Sequence, residues 1–165
     1  MKRKKGMNNN GYFLGTPITG IINPNLKSPL ETATKSRIKG IISDLRSYGH
    51  NVFCALEEEE FGKKIADSLE CTLRDYSLLK QSNVYITFPN NSYGCAVELG
   101  WASAHSIPIV LGINKRIGSK TPLYEGLHTT GTQVHVIYYD SEDEFPDKLE
   151  WLKILKYIEK HIFIR

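Results

Sequence analysis

Short apolar runs alternate with stretches of helical spacing along nearly the whole chain, and that alternation leaves few folds open. The apolar runs are "YFLG" at 12–15, "NVFCA" at 51–55, "NVYITF" at 83–88, "PIVLGI" at 108–113 and "QVHVIYY" at 133–139. Between them, 31–48 repeats Ile38, Ile41, Ile42 and Leu45 at helical intervals before the stop at Gly49. Residues 56–82 carry Ile65, Leu69, Leu73, Leu78 and Leu79 on a predicted apolar side, with a break expected near Gly62. A helix is predicted over 94–105, a short helix or turn over 121–129, and a closing amphipathic helix over 141–164, broken or begun at Pro146. Strands that alternate with helices build a parallel sheet covered on both faces. The predicted fold is therefore α/β: a flavodoxin-like, Rossmann-like, doubly wound sheet of five strands in the order 2-1-3-4-5.

That order locates a site before any residue is singled out. Ligands of such sheets lie beyond the carboxyl ends of the strands where the strand order reverses, here between strands one and three. The loops leaving those strands are "GTPITG" and "FPNNSYGCAVE". The second ends on Glu98, a carboxylate set between Val97 and Leu99. An unpaired carboxylate among apolar neighbours is costly and needs a partner, a cap or a task. Glu98 is expected in the first helical turn, where the helix dipole would keep it ionised. An anion so placed can attack the anomeric carbon of a sugar, or it can simply cap its helix; the residues alone leave both open. Gly94 and Gly100 would allow close backbone approach, and Ser92 with the amides ahead of the helix could bind an oxyanion.

Asp75 is the second candidate, able to hold ribose hydroxyls or manage a proton on a leaving base, against the alternative of a solvated residue paired with Arg74 or Lys80. The run Glu57, Glu58, Glu59, Glu60 reads as a solvated helix start near the same rim. His105 ends a helix and His135 lies in a strand, which suits structural roles. "GTPITG" lacks the lysine and glycine spacing of a phosphate-binding P-loop, and no GxGxxG follows strand one. A nucleoside triphosphatase or a dehydrogenase is unsupported, and no cofactor is expected.

Charge and cysteines bound the partners. The net charge of +3 depends on the opening "MKRKK", so the body offers no broad basic face for nucleic acid. Residues 1–11 are expected to be a disordered basic tail and 12–165 one domain. Cys54, Cys71 and Cys95 are odd in number and lack ligand spacing, which argues for a reducing compartment and against a metal site. With no apolar run of about 18 residues and no signal-peptide core, a cytoplasmic protein without membrane contact is expected.

Three segments in this order, "YFLGTPITG", "LRDYSLLKQSNVYITFP" and "SYGCAVELGWASAHSIPIVLGI", resemble the nucleoside 2-deoxyribosyltransferase superfamily. Within it, "FLGTP", "FP" and "VELGWASA" look most like the CMP and hydroxymethyl-CMP N-glycosidases. The resemblance spans roughly residues 12 to 115. It implies cleavage of an N-glycosidic bond, with Glu98 as nucleophile and Asp75, 23 residues earlier (98 − 75), assisting at the sugar or leaving base. It further implies substrate contacts from Gly15, Thr16, Pro17, Ile18, Thr19, Phe88, Ser92 and Gly94. Ser92 matches a serine that binds the 5′-phosphate, often that of a neighbouring subunit's substrate. Ile18 and Thr19 depart from the aromatic and arginine of the hydroxymethyl-CMP enzymes, although Thr16, Thr19 and backbone amides can hold a phosphate by hydrogen bonds. The implied reaction is hydrolysis of a pyrimidine nucleoside 5′-monophosphate, CMP foremost, to base and ribose 5-phosphate. Base exchange by a 2-deoxyribosyltransferase and nucleotide sensing without catalysis are the alternatives. A homodimer or larger homo-oligomer is expected.

Overall fold

The computed structural model describes residues 11–18, 30–64, 66–118 and 121–162; Thr19, Ile65 and the basic tail expected over 1–11, apart from Gly11, lie outside them. Five parallel strands form one sheet: β1 (Gly11–Gly15), β2 (Asn51–Phe53), β3 (Val84–Thr87), β4 (Ile109–Asn114) and β5 (Val134–Tyr139), in the order β2-β1-β3-β4-β5. The crossovers carry α1 (Thr32–Ser47), α2 (Ala55–Glu58), α3 (Ser68–Lys80), α4 (Tyr93–Ala104) and α5 (Pro122–Gly126), and α6 (Lys148–His161) follows β5. A 3-10 turn, Leu127–Thr130, extends α5. The predicted fold class and strand order are thus observed.

Side chains alternate across the strands and feed two cores. Tyr12, Leu14, Val84, Ile86 and Val110 pack with Ile38, Ile41, Ile42 and Leu45 of α1 and Trp151, Ile154, Leu155 and Ile158 of α6. Phe13, Tyr85, Ile109, Leu111 and Ile113 face the other way, onto Leu79 of α3 and Leu99 and Ala102 of α4. The closing helix begins after Pro146, where the Asp147 carboxylate accepts from the Glu150 amide at 2.9 Å.

The stretch 56–82 departs from expectation in two ways. It breaks fully, because Glu60, Phe61 and Gly62 all take positive φ (50°, 58° and 89°), which no helix accommodates. Leu69 and Leu73, expected to be buried, are exposed; Leu79 alone is buried on α3. No helix among the described residues is long and apolar enough to cross a membrane.

Candidate active site

Gly15 ends β1 directly opposite Thr87 of β3, and the absent side chain at Gly15 is the space in which the site is assembled. A Cβ there would lie 2.3 Å from the Tyr85 hydroxyl and 2.7 Å from Glu98 Oε2. Tyr85 is fully buried, so its phenol needs a partner. It donates a hydrogen bond of 2.7 Å to Glu98 Oε2. A strand, a helix and a missing side chain therefore converge on one carboxylate at the carboxyl ends of β1 and β3.

Glu98 is not where the sequence suggested. Ser92 caps α4, its Oγ accepting from the Cys95 amide at 3.2 Å, and no acidic residue occupies the first turn. Glu98 is the sixth helical residue, beyond the reach of the helix dipole, and it caps nothing. Its side chain is instead half-buried against protein. That desolvation pushes its pKa up to about 8; the Tyr85 hydrogen bond opposes the rise and the negative charge of Asp75 adds to it. Glu98 therefore lies outside the first turn in which it was expected, and burial shifts its pKa in the direction opposite to that expected of the dipole.

Asp75 belongs to the same cluster, since its charge reaches Glu98. It pairs with Arg74, with Nε 2.8 Å from Oδ1, yet it is largely buried rather than solvated. Thr16 and Pro17 are buried beside Gly15, and Thr16 Oγ1 lies 3.8 Å from the Cys54 sulfur. Ile18 packs on the α1/α6 core, Gly94 is exposed at the start of α4, and Thr19 lies outside the described residues. Phe88 is not a wall of the cleft. It has no exposed surface and fills the core against Tyr139, Phe145 and Trp151, where Gly112 makes room for it. A cavity of 590 Å³ lies at the amino ends of β1 and β2, away from Glu98, and one of 530 Å³ lies between α4 and α5 with Ser92 in its lining.

Sequence reasoning missed Tyr85 and Glu59. A phenol inside a predicted buried strand was the available signal for Tyr85, because a buried hydroxyl demands a partner. Glu59 was hidden in a run of four identical residues.

The balance of these effects predicts the pH response. If Glu98 must be ionised to react, kcat/KM should climb as pH rises towards about 8 and level off above it. Tyr85→Phe should move that limb to higher pH and Asp75→Asn to lower pH, because the first group lowers the Glu98 pKa and the second raises it. Initial rates across buffers of constant ionic strength check both directions.

This combination, a doubly wound parallel sheet with a half-buried carboxylate at its switch point, defines the class: an α/β fold of the kind that takes small ligands beyond the carboxyl ends of its strands. No protein-family model matches the chain, and no curated protein matches it by sequence. Solved structures do. The CMP N-glycosidase BcmB from Clostridium botulinum is 27% identical, with a TM-score of 0.63 over 89% of this chain and 98% of that one. BlsM, solved in solution, is 26% identical, with a TM-score of 0.69 over 94% of this chain and 95% of that one. The chain therefore resembles, over nearly its whole length, the CMP N-glycosidase branch to which its motifs pointed.

Proposed function

We propose that this protein is a nucleotide N-glycosidase that hydrolyses a pyrimidine nucleoside 5′-monophosphate, CMP foremost, to free base and ribose 5-phosphate. The observation that carries the reading is the Glu98 carboxylate, fixed by Tyr85 and Gly15 at the switch point of a fold shared with a CMP N-glycosidase. Tyr85 occupies Oε2, so Oε1 is the attacking atom. As Oε1 bonds to the anomeric carbon, the C–N bond breaks and its electron pair leaves on the base, which takes up a proton. Water then attacks the anomeric carbon, gives up a proton to the site, and returns Glu98 as a carboxylate. Asp75 holds sugar hydroxyls or handles the proton in these steps, and Ser92 with the amides of the α4 terminus receives the phosphate. Residues 12–165 form the one catalytic domain, working in the cytoplasm.

Incubation with a panel of nucleotides and nucleosides, with chromatography of the products, tests this. Base and ribose 5-phosphate from CMP are expected. Release from nucleosides but never from nucleotides would refute it, and a new nucleoside formed with a second base would make the protein a transferase.

The functional unit is a homodimer or larger. Tyr76 of α3 packs on Trp101 and hydrogen-bonds His105 of α4, at 2.9 Å, so the two helices run side by side. Leu69 and Leu73 of α3 (75% and 70% exposed) and Tyr93 and Val97 of α4 (90% and 51%) are large apolar side chains left exposed on these two neighbouring helices. Light scattering at micromolar concentration should give at least twice the chain mass, and Leu73→Asp should lower it. A wild-type monomer would contradict this.

A further inference from the structure

Arg74, which pairs with Asp75, has a second carboxylate partner in Glu59, and that residue is buried. Its side chain is 6% exposed, and its Oε1 accepts from Arg74 Nη2 at 3.1 Å. The segment just beyond it turns through three left-handed residues, two of them non-glycine, a conformation unfavourable for residues with a Cβ. Phe61 anchors that turn, buried in the core beneath the ammonium groups of Lys35 and Lys39, 5.0 and 5.3 Å from its ring centroid. The Glu59 carbonyl is tied down by the amides of Gly62 and Lys64, at 3.0 and 3.1 Å. A carboxylate is thereby held in a fixed place inside the protein, where an unpaired charge would be heavily penalised.

The Arg74 guanidinium is restrained on three sides. Nη2 meets Glu59, Nε meets Asp75 Oδ1 at 2.8 Å, and the group lies 5.7 Å from the centre of the Phe53 ring. Adjacent residues on a helix do not face one another. Arg74 reaches its neighbour only because its side chain curls back, and Glu59 is the group that fixes the curled position. The bond occupies Oδ1 and leaves Oδ2 of Asp75 with no hydrogen bond among the described residues. The same carboxylate is near enough to act on Glu98 through its charge.

We propose that Glu59 and Arg74 are positioning residues for Asp75: Glu59 sets the guanidinium, and the guanidinium holds Oδ1 so that Oδ2 is presented to the substrate. The proposal rests on the reading that Asp75 serves the reaction. A guanidinium engaged by two carboxylates is also a poor phosphate ligand, so Arg74 acts through Asp75 rather than on the nucleotide itself.

The test is a set of variants assayed for base release on the substrate cleaved fastest in the panel, with thermal melts on the same preparations. Asp75→Asn and Arg74→Ala should each lower kcat by about tenfold or more, while Arg74→Ala added to Asp75→Asn should cost less than about twofold further, as expected for groups acting in series. Glu59→Gln should fall between wild type and Arg74→Ala. Guanidinium ion supplied in the buffer should restore part of the activity of Arg74→Ala and none of Asp75→Asn, which a loss of general stability would not do. Should Arg74→Ala fail to fold, Arg74→Lys and Glu59→Gln carry the same comparison, since lysine keeps the charge and loses the two-pronged geometry. Full multiplicative effects of Arg74→Ala and Asp75→Asn, or an Arg74→Ala enzyme within about twofold of wild type beside an impaired Asp75→Asn, would overturn the relay alone. A wild-type rate for Asp75→Asn would overturn the role of Asp75 and the relay with it.

Discussion

Glu98→Gln is expected to cut base release by at least about a thousandfold, because the amide keeps the shape of the side chain and cannot form the bond to the anomeric carbon. Tyr85 can still donate to the amide oxygen, so the packing around the site should persist. The stability effect has a definite sign. A carboxyl group whose pKa is about 8 when folded and near 4.5 when unfolded stabilises the protein fully below the lower value and progressively less as pH rises through the upper one. The folded wild type retains a proton over that window that the unfolded chain gives up, so its stability falls from pH 5 to pH 8. Glu98→Gln removes this dependence. The variant should therefore melt at a higher temperature relative to wild type at pH 8 than at pH 5, while losing its turnover. Lost turnover with gained stability is the mark of a residue kept for chemistry rather than for folding.

Gly15→Ala is the second large effect. The new methyl would sit 2.3 Å from the Tyr85 hydroxyl, and 2.7 Å from both Tyr85 Cε2 and Glu98 Oε2, distances that force a shift in one or more of them. Tyr85 is fully buried and packs against Phe13, so its ring has little room to yield. Overpacking of this kind costs about 1–3 kcal/mol. A displacement approaching an ångström at the attacking carboxylate costs on the order of a hundredfold in rate. Gly112→Ala supplies the control: its methyl would come within 2.4 Å of Phe88, in the core and away from the carboxylates. It should cost comparable stability and leave the kinetics of the surviving folded enzyme close to wild type. Equal losses of kcat/KM in the two variants would separate Gly15 from the site.

The sheet was legible in the sequence because its evidence is periodic and redundant. Each strand lies in an apolar run with its own stops, and strand order follows from the alternation with helices. The site was legible only in part. That Glu98 is exceptional follows from its neighbours, Val97 and Leu99; its partner does not, because Tyr85 reaches it from β3 beside Gly15 of β1, an arrangement that strand register creates. Asp75 could be named as a candidate, whereas its support could not: four consecutive glutamates look alike until the left-handed turn at Glu60, Phe61 and Gly62 directs Glu59 inward. Phe88 was misplaced for a related reason. One residue beyond Thr87, it lies on the α1/α6 side of the sheet, and its surroundings there are supplied by β5 and α6. Leu69 and Leu73 have helical spacing like any buried pair, and a single chain's pattern does not tell a face covered by its own sheet from one left for a neighbour.

The central claim is that Glu98 becomes covalently attached to the sugar. The direct measurement is the intact mass of the protein after acid quenching, with a 2′-fluoro-arabino analogue of the preferred nucleotide used to slow the hydrolysis of the intermediate, followed by fragmentation to locate the adduct. A mass increase equal to the glycosyl phosphate, carried on the fragment containing Glu98 and absent from Glu98→Gln, is the predicted result. Steady release of base with no adduct at any quench time, or an adduct carried by a different side chain, would contradict it.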